Sequence, residues 1–349
     1  MTDSASTATP SDSPAAPGFE RLMYASLCTV KTSVFDEMQR IRAHALKRNV
    51  ADDVHVALLY QSGWFVEWME GPSKGVHAVM ARVARDTRHR QIRLLHSSHG
   101  RRRLSEPWSM AITQTQELPT DFARRVMEMR EHHRLGQELD PAAVWRRLST
   151  PLTHPGAREQ ALNDHFQRVI VVSAHGTDSF DLVRWLGQSQ EAEVVHRRFA
   201  GSRDDMLDVA TDYVDVDTGA VVRRVIAMAR NGLQIGLTQA FLSDYSHAVL
   251  LLSGDAERDH QLMVRMVAAC EQQPRRPVLL GVGSPACKHA ELRRLAHKGG
   301  LVYLDCERGA DDGVAAVWAA TEPALDLSLA TQSGWPGVGG SGWDRLSGT

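Results

Sequence analysis

The 349-residue sequence lacks the marks of several common protein classes. Its four cysteines are scattered without CxxC spacing, which argues against a zinc site or a disulfide framework and fits a reducing cytoplasm. No apolar run reaches the roughly 18 residues that a membrane span requires. The N-terminus has no basic segment leading into an apolar core, so it does not resemble a signal peptide. We therefore expect a cytoplasmic protein without a membrane-spanning segment or a metal site.

The sequence also lacks an excess of positively or negatively charged residues. Forty basic residues against 42 acidic residues give a formal net charge of −2, which does not favour a nucleic-acid-binding protein. The Arg-rich stretch Arg88–Arg103 is a local exception that a solvated face explains. The 43% hydrophobic content is ordinary for a globular protein, and the length allows two domains with separate cores.

Strand and helix patterns alternate in the first third of the chain. Apolar positions predict strands and helices in the order β-α-β-β-α-β-β: Arg21–Leu27, Val34–Arg48, the hairpin Val54–Leu59 and Trp64–Met69, Val76–Arg85, Ile92–His96 and Trp108–Ile112. This order predicts a ferredoxin-like α+β sandwich with an added strand. A carboxylate, Glu67, interrupts the otherwise apolar second hairpin strand.

A different pattern begins at Arg168, after the Pro- and Gly-containing segment Thr150–Gly156. Buried-strand runs (Val169–Val172, Ala248–Leu252, Pro277–Val282, Leu301–Leu304) alternate with helical stretches (Phe180–Leu186, Gln261–Glu271, Ala290–Leu295, Gly313–Thr321). This alternation is typical of a doubly wound α/β domain. We thus predict a disordered N-terminus (1–18), an α+β domain (19–115), a helical linker (116–165, with helices at Glu117–Arg134 and Ala142–Leu148), an α/β domain (166–327) and a flexible tail (328–349).

Residues 20–115 resemble the BLUF domain, the blue-light sensor that uses FAD. The resemblance rests on the order and spacing of Tyr24-Ala25-Ser26, Asn49, Trp64-Phe65, Met69-Glu70-Gly71, Arg82, Asp86-x-Arg88-His89 and Trp108-Ser109-Met110. It implies that the isoalloxazine ring lies between the two helices, over the sheet. It also implies roles: Tyr24 as photochemical electron and proton donor, Asn49 at the flavin's polar edge, Arg82, Asp86, Arg88 and His89 along the pyrimidine side and entrance, and Trp108 and Met110 as sensors of the switch.

The sequence departs from the BLUF pattern at two places. The family's switch glutamine is Glu67 here; an amide donates and accepts, whereas an ionised carboxylate only accepts. A buried glutamate without a cation should have a raised pKa, which allows a neutral, donating form. The family's Gly-Ile-Thr-Gly is Asp53-Val54-His55-Val56, so that both glycines gain side chains, and His55 is expected to contact flavin or to fill its space.

Simpler explanations of the same residues stay open. Without the resemblance, Tyr24 would be an ordinary core tyrosine, and Asn49 a helix-terminal residue that tolerates left-handed geometry. Asp86, Arg88 and His89 would be a solvated helix end. The tryptophans would be core aromatics.

The C-terminal α/β region resembles a small Ras-like GTPase of the MglA kind that has lost its motifs. Ser173–Asp181 matches a P-loop in length, but Asp178, Ser179 and Phe180 stand where the pattern needs Gly, Lys and a Ser/Thr hydroxyl. Thr211–Val214 resembles switch one ahead of a strand, Gly236–Gln239 stands at switch two, and Gly281–Pro285 replaces the guanine-reading motif. This resemblance implies a pseudo-GTPase scaffold; a flavodoxin-like domain with coincidental loop lengths is the alternative.

Together these patterns predict a non-enzymatic, FAD-binding blue-light photoreceptor. It would relay a hydrogen-bond switch, with 116–165 as the coupling region, to an output domain that contacts protein partners of a signalling pathway; a homo-oligomer is compatible with this. One alternative is a light-independent scaffold that binds neither flavin nor nucleotide. Another is a nucleotide hydrolase or flavin oxidoreductase, against which the missing lysine and the missing GxGxxG weigh.

Overall fold

The computed structural model describes residues 18–137, 139–150, 166–219, 221–284, 287–308 and 313–331. Its strands are β1 Phe19–Cys28, β2 His55–Gln61, β3 Trp64–Gly71, β4 His89–Gly100, β5 Ser109–Gln114, β6 Phe166–Ser173, β7 Val195–Ala200, β8 Val209–Asp217, β9 Val222–Met228, β10 His247–Leu251, β11 Val278–Gly283 and β12 Tyr303–Glu307. Its α-helices are α1 Val34–Ala51, α2 Ser73–Val83, α3 Pro119–Arg134, α4 Pro141–Ser149, α5 Asp178–Ser189, α6 Gly236–Gln239, α7 Ala256–Cys270, α8 His289–Lys298 and α9 Val314–Thr331. The predicted disordered N-terminus up to residue 17, the boundary segment 151–165 and the tail from 332 lie outside the described residues.

One twelve-stranded sheet runs through both halves of the chain. Its order is β12-β11-β10-β6-β9-β8-β7-β5-β2-β3-β1-β4. The two halves join where β5 pairs antiparallel with β7, with Met110 opposite Ala200 and Gln114 opposite His196. The edge that β5 would otherwise expose is therefore covered by the second half of the same chain.

In the N-terminal half, β1, β2, β3 and β4 pair antiparallel in the order β4-β1-β3-β2, and β5 is added parallel to β2. The β2–β3 hairpin turns at Ser62 and Gly63, with φ of 48° and 81°. Positive φ at both central residues is the two-residue hairpin geometry that matches strand twist. All seven elements predicted for this half are present, with bounds that differ by a few residues.

In the C-terminal half, β9, β6, β10, β11 and β12 are parallel, and β8 runs antiparallel between β7 and β9. Apolar residues of α7 and α8 pack on one face of this sheet, and those of α5 and α9 pack on the other. The strands β7, β8 and β9 were not predicted. Thr211–Val214, expected to precede a strand, lies inside β8; its polar residues are buried because β8 is hydrogen-bonded on both sides.

Two apolar layers flank the N-terminal sheet. On one face, α3 and α4 contribute Phe122, Val126 and Trp145 to a cluster that continues without interruption to α7 and α8. On the other face, α1 and α2 cover a separate cluster that contains Tyr24, Trp108 and Met110. No helix within the described ranges is long and apolar enough to cross a membrane.

Because sheet and core are continuous, we expect the two halves to unfold together. Phe122→Ala removes a fully buried ring from the shared cluster and should destabilise the protein by about 3–5 kcal/mol. In urea titrations of this variant, the unfolding midpoints measured by tryptophan fluorescence and by far-UV circular dichroism should decrease by the same amount. Met127→Ala, on the exposed side of the same helix, should change stability by less than about 0.5 kcal/mol. Two separated transitions, only one of them sensitive to Phe122→Ala, would contradict this expectation.

Candidate functional site

The candidate site is built on one cross-strand row. Tyr24 is paired with Glu67, Glu67 with Leu58, Leu58 with Met110, and Met110 with Ala200, so the row crosses β1, β3, β2, β5 and β7. Side chains directly opposite one another share a face of the sheet. Tyr24, Leu58, Met110 and Ala200 all belong to the cluster beneath α1 and α2. The row therefore places both predicted switch residues in line with the C-terminal half.

Tyr24 and Glu67 form a buried hydrogen bond in which the phenol hydroxyl donates to Glu67 Oε2. Tyr24 is 1% exposed and Glu67 is 8% exposed. Burial raises the pKa of Glu67 to about 7, with Asp86 adding to the rise and the Tyr24 hydrogen bond and Arg82 opposing it. Burial, together with the neighbouring Glu67, raises the pKa of Tyr24 well above its ordinary value. Near neutral pH the carboxyl is therefore close to half protonated, as the sequence suggested for a buried glutamate without a cation.

The predicted residues at the end of α2 are held by acidic partners. Arg82 donates to Asp52 Oδ2 at 2.9 Å. Arg88 is clamped between Asp86, which its Nε reaches at 2.9 Å, and Glu37, which its Nη1 reaches at 3.0 Å. Hydrogen bonds from Arg40 and then from Arg88 lower the pKa of Glu37, and the Arg88 guanidinium lowers the pKa of Asp86 against the opposing effect of burial. The cations are thus paired with carboxylates other than Glu67.

His89 lies against Tyr24. The two rings are stacked with centroids 6.1 Å apart and an interplanar angle of 26°. His89 Nδ1 is 2.9 Å from Ser26 Oγ, and its ring meets Phe65 edge-on. Burial lowers the pKa of His89, so this ring is neutral at neutral pH.

Asn49, Trp108 and Met110 lie on the side of the site nearest to the C-terminal half. Asn49 Nδ2 donates to the carbonyl of Pro107 at 3.3 Å. Met110 is fully buried. Trp108 is 1% exposed, and its Nε1 has no hydrogen-bond partner among the described residues. A buried indole N–H usually has a partner, so this atom can still serve a bound molecule.

The expectation that His55 contacts flavin or fills its space is wrong. His55 shares a strand face with Ala57 and Leu59, which belong to the opposite cluster, and its Nδ1 is 2.5 Å from the Leu104 carbonyl. Asp53, at the family's first glycine, adopts φ of 51°, which aspartate tolerates better than most residues. Val56, at the second glycine, is fully buried on the Tyr24 face.

Polar contacts missed by sequence reasoning tie the site to the C-terminal half. We call residues 105–110, 200–207 and 236–239 the junction. Ser202 Oγ accepts from the Trp108 amide at 3.1 Å and donates to the Trp108 carbonyl at 2.9 Å. The Glu106 carboxylate accepts from the Gly236 amide at 3.1 Å, and the Leu237 amide donates to Ser109 Oγ at 3.3 Å.

Helix α1 also reaches the junction. Arg42 Nε donates to the Gly201 carbonyl at 3.1 Å, and Gln39 Nε2 donates to the Leu207 carbonyl at 2.6 Å. These contacts join residues about 160 positions apart, so no local sequence pattern could reveal them.

A family model described as sensors of blue-light using FAD matches residues 19–111. That range contains every predicted site residue from Tyr24 to Met110. Residues 19–111 form a BLUF domain. No curated protein matches the chain.

Solved structures similar to the chain include further BLUF proteins. BlrB in its dark state has a TM-score of 0.28 and 21% identity, covering 39% of this chain and 98% of that one. A bacterial light-regulated adenylyl cyclase has a TM-score of 0.27 and 12% identity, covering 70% and 87%. Klebsiella pneumoniae BlrP1, in a manganese/cy-diGMP complex, has a TM-score of 0.25 and 14% identity, covering 84% and 76%. Because these scores are low, the domain assignment rests on the family model.

BLUF domains bind FAD, and the residues present in this one fit that group. The Tyr24–Glu67 pair and the free Trp108 Nε1 lie on one face, beneath α1 and α2. Arg82 and Arg88 lie beside them at the end of α2, partly exposed. No group of three or more His, Cys, Asp or Glu among the described residues could hold a metal ion.

The raised pKa of Glu67 makes the protein's stability depend on pH. Below about pH 4.5 the carboxyl is protonated in both the folded and the unfolded chain. Between about 4.5 and 7 only the unfolded chain releases the proton, so Glu67 makes stability fall by about 3 kcal/mol and then level off. Glu67→Gln should abolish that decline, as measured by urea unfolding from pH 4.5 to 8. Glu131→Gln, at an exposed position, should leave the decline unchanged. If stability fell equally with pH in the wild type and in Glu67→Gln, the decline could not be attributed to Glu67.

Proposed function

We propose that the chain is a blue-light sensor in which the BLUF domain binds FAD and alters the junction with the C-terminal half. The observation that supports this most directly is the Tyr24–Glu67 hydrogen bond, set in a row of paired residues that ends at Ala200. In the resting pair the proton stays on Tyr24, because the pKa of the phenol lies well above that of the carboxyl. A phenol that has lost an electron is a strong acid, and the ionised carboxyl beside it can then take up the hydroxyl proton.

FAD would supply blue-light absorption and an electron acceptor. Asn49, Trp108 and the Arg82 and Arg88 side chains are the residues proposed to hold it, with Tyr24 and Glu67 at the reacting edge. In its neutral form Glu67 carries one donor and one acceptor, as the family's glutamine amide does in any one orientation. If Tyr24 gave up an electron to the bound flavin, its hydroxyl proton could move to the ionised form of Glu67, and the carboxyl would change from acceptor to donor within the row.

The signal is proposed to pass through the sheet as well as through the predicted helical linker. A change at Glu67 acts on Leu58 and Met110 in β2 and β5, and Met110 faces Ala200 of β7. Trp108 immediately precedes β5, and Ser202 forms hydrogen bonds with both its backbone amide and its backbone carbonyl. A shift of this segment therefore has to move the loop 200–207.

For the C-terminal half we propose a pseudo-GTPase scaffold that contacts protein partners and does not hydrolyse nucleotide. The strand order β8-β9-β6-β10-β11-β12 supports a Ras-like arrangement, just as β4-β1-β3-β2 supports a ferredoxin-like one. The Ser179 amide at the start of α5 donates to Ser173 Oγ at 2.8 Å, and Asp178 adds a negative charge there. Both features disfavour a phosphate at this helix terminus.

The photochemical proposal is tested by the absorption spectrum of the purified protein, reconstituted with FAD where necessary. We expect a flavin spectrum that shifts reversibly to longer wavelength under blue light. Tyr24→Phe should bind FAD but lose the shift, because the hydroxyl proton is gone. Glu67→Gln should strengthen the shift, since an amide always carries a donor. Failure of the wild-type protein to take up FAD would overturn the proposal.

One observation favours a light-independent scaffold as the second candidate. Val56 is fully buried on the Tyr24 face, where the family uses glycine. If its side chain occupies flavin space, Val56→Gly should restore FAD uptake to a colourless wild-type protein. Tight binding of FAD by the wild type would exclude this candidate.

The proposed route through the junction predicts local changes in amide hydrogen exchange. Blue light should change exchange of residues 200–207 and 236–239 in the FAD-loaded protein. Ser202→Ala removes both hydrogen bonds to Trp108 and should reduce the light-dependent difference at least severalfold while leaving the flavin spectrum intact. Ser189→Ala, which removes a hydroxyl whose one hydrogen bond to a described residue is to Leu186 of its own helix, is the control. An equal light response in both variants would rule out this route.

A further inference from the structure

A cavity lies on the sheet face opposite Tyr24, where the two halves meet. Its volume is about 50 Å³, several times the ~10–15 Å³ that admits one water molecule. Strands β5, β6, β7 and β9, helix α4 and the segment 237–245 line it. Its lining includes four arginines (Arg146, Arg168, Arg197, Arg224), five hydroxyl side chains (Thr113, Ser149, Thr150, Thr238, Tyr245) and the aromatic rings of Trp145, Phe199 and Phe241.

Two of the four arginines are balanced by carboxylates. Arg224 donates to both oxygens of the buried Asp215 at 2.7 and 2.8 Å. Arg146 is paired with Asp244, which also lines the cavity. These two ion pairs leave no net charge.

The other two arginines make no ion-pair contact with a carboxylate among the described residues, although Asp244 near Arg168 and Asp212 near Arg197 favour their charged forms. Arg197 is 7% exposed; its Nη2 reaches Thr211 Oγ1 only at 3.4 Å, and its Nε has no hydrogen-bond partner. The guanidinium of Arg168 lies 4.6 Å from the Phe166 ring centroid and makes no side-chain hydrogen bond to a described residue. Burial lowers the pKa of Arg168 to about 10, which still leaves it charged at neutral pH.

Aromatic rings offset only part of this charge. Arg197 lies 5.2 Å from the Phe199 centroid and 4.9 Å from that of Tyr213. A cation–π contact contributes about 1–2 kcal/mol, whereas an uncompensated buried charge costs several kcal/mol. Two guanidinium groups without an ion-pair contact, beside a cavity lined with hydroxyl donors, form a favourable environment for an anion.

We propose that this cavity binds a small oxyanion of the phosphate type, held by Arg168 and Arg197. Guanidinium groups match the paired oxygens of such an anion, and the hydroxyl groups of the lining can donate to the remaining oxygens. The cavity is too small for a nucleotide. The inference is independent of flavin binding, because the cavity and the Tyr24–Glu67 pair lie on opposite faces of the sheet.

Calorimetric titration of inorganic phosphate into the full chain, with potassium chloride at matched ionic strength as the comparison, tests the proposal. Wild type should bind one phosphate per chain, and phosphate should raise its melting temperature more than chloride does. Arg168→Met and Arg197→Met should each weaken binding tenfold or more. Arg134→Met, which removes an exposed arginine from α3, should have no effect.

The variants also distinguish a ligand site from a purely structural cluster. Without phosphate, Arg197→Met should melt no lower than wild type, since it removes a buried charge that lacks a partner. A large loss of stability in phosphate-free buffer, with unchanged phosphate affinity, would overturn the proposal. If the variants do not fold, anomalous diffraction from wild-type crystals soaked in selenate tests whether the cavity binds an oxyanion. An anomalous peak between Arg168 and Arg197 supports the site, and its absence from a fully soaked crystal refutes it.

Discussion

The pairing of β5 with β7 is the contact on which the rest of this molecule depends. An unpaired β5 would leave a row of backbone donors and acceptors, and the apolar residue Ala111 beside it, at the edge of the BLUF sheet. Pairing with β7 satisfies that backbone and joins two sheets and two cores into one. The sensor and the C-terminal half are therefore not two bodies on a linker, and any displacement of β5 is shared by β7.

Glu67 imposes a second constraint, because the sheet pays a free-energy cost to keep a carboxyl inside it. The nearby arginines are held by Asp52, Asp86 and Glu37, so that Tyr24 is its only hydrogen-bond partner among the described residues. That arrangement keeps the pKa of Glu67 at about 7. Direct pairing with Arg82 would favour the ionised form and fix Glu67 as an anion that could not change its hydrogen-bond role.

Sequence reasoning succeeded where hydrophobic periodicity is strong and failed where buried strands are charged. The predicted elements of the BLUF domain are all present, and the two predicted switch residues, Tyr24 and Glu67, share a hydrogen bond. Strands β7 to β9 escaped prediction because Arg197, Asp215 and Arg224 look like surface residues, although they are buried. His55 was assigned to the wrong face because Val56 and Ala57 are both apolar, so that the strand offers no alternation from which to read its faces. Contacts such as Ser202 to Trp108 depend on the complete fold.

The two faces of β5 connect the sensor site with the oxyanion cavity. Met110 and Ile112 belong to the Tyr24 face, whereas Ala111 and Thr113 line the cavity. On β7, Ala200 lies opposite Met110, and Phe199 and Arg197 lie opposite Ala111 and Thr113. A movement of β5 and β7 that changes the packing around Met110 and Ala200 would also change the distances between the cavity-lining side chains of the same strands. If the BLUF domain has two conformations and the cavity binds an anion, a conformation that changes the affinity for the anion must itself be stabilised or destabilised by the anion to the same extent.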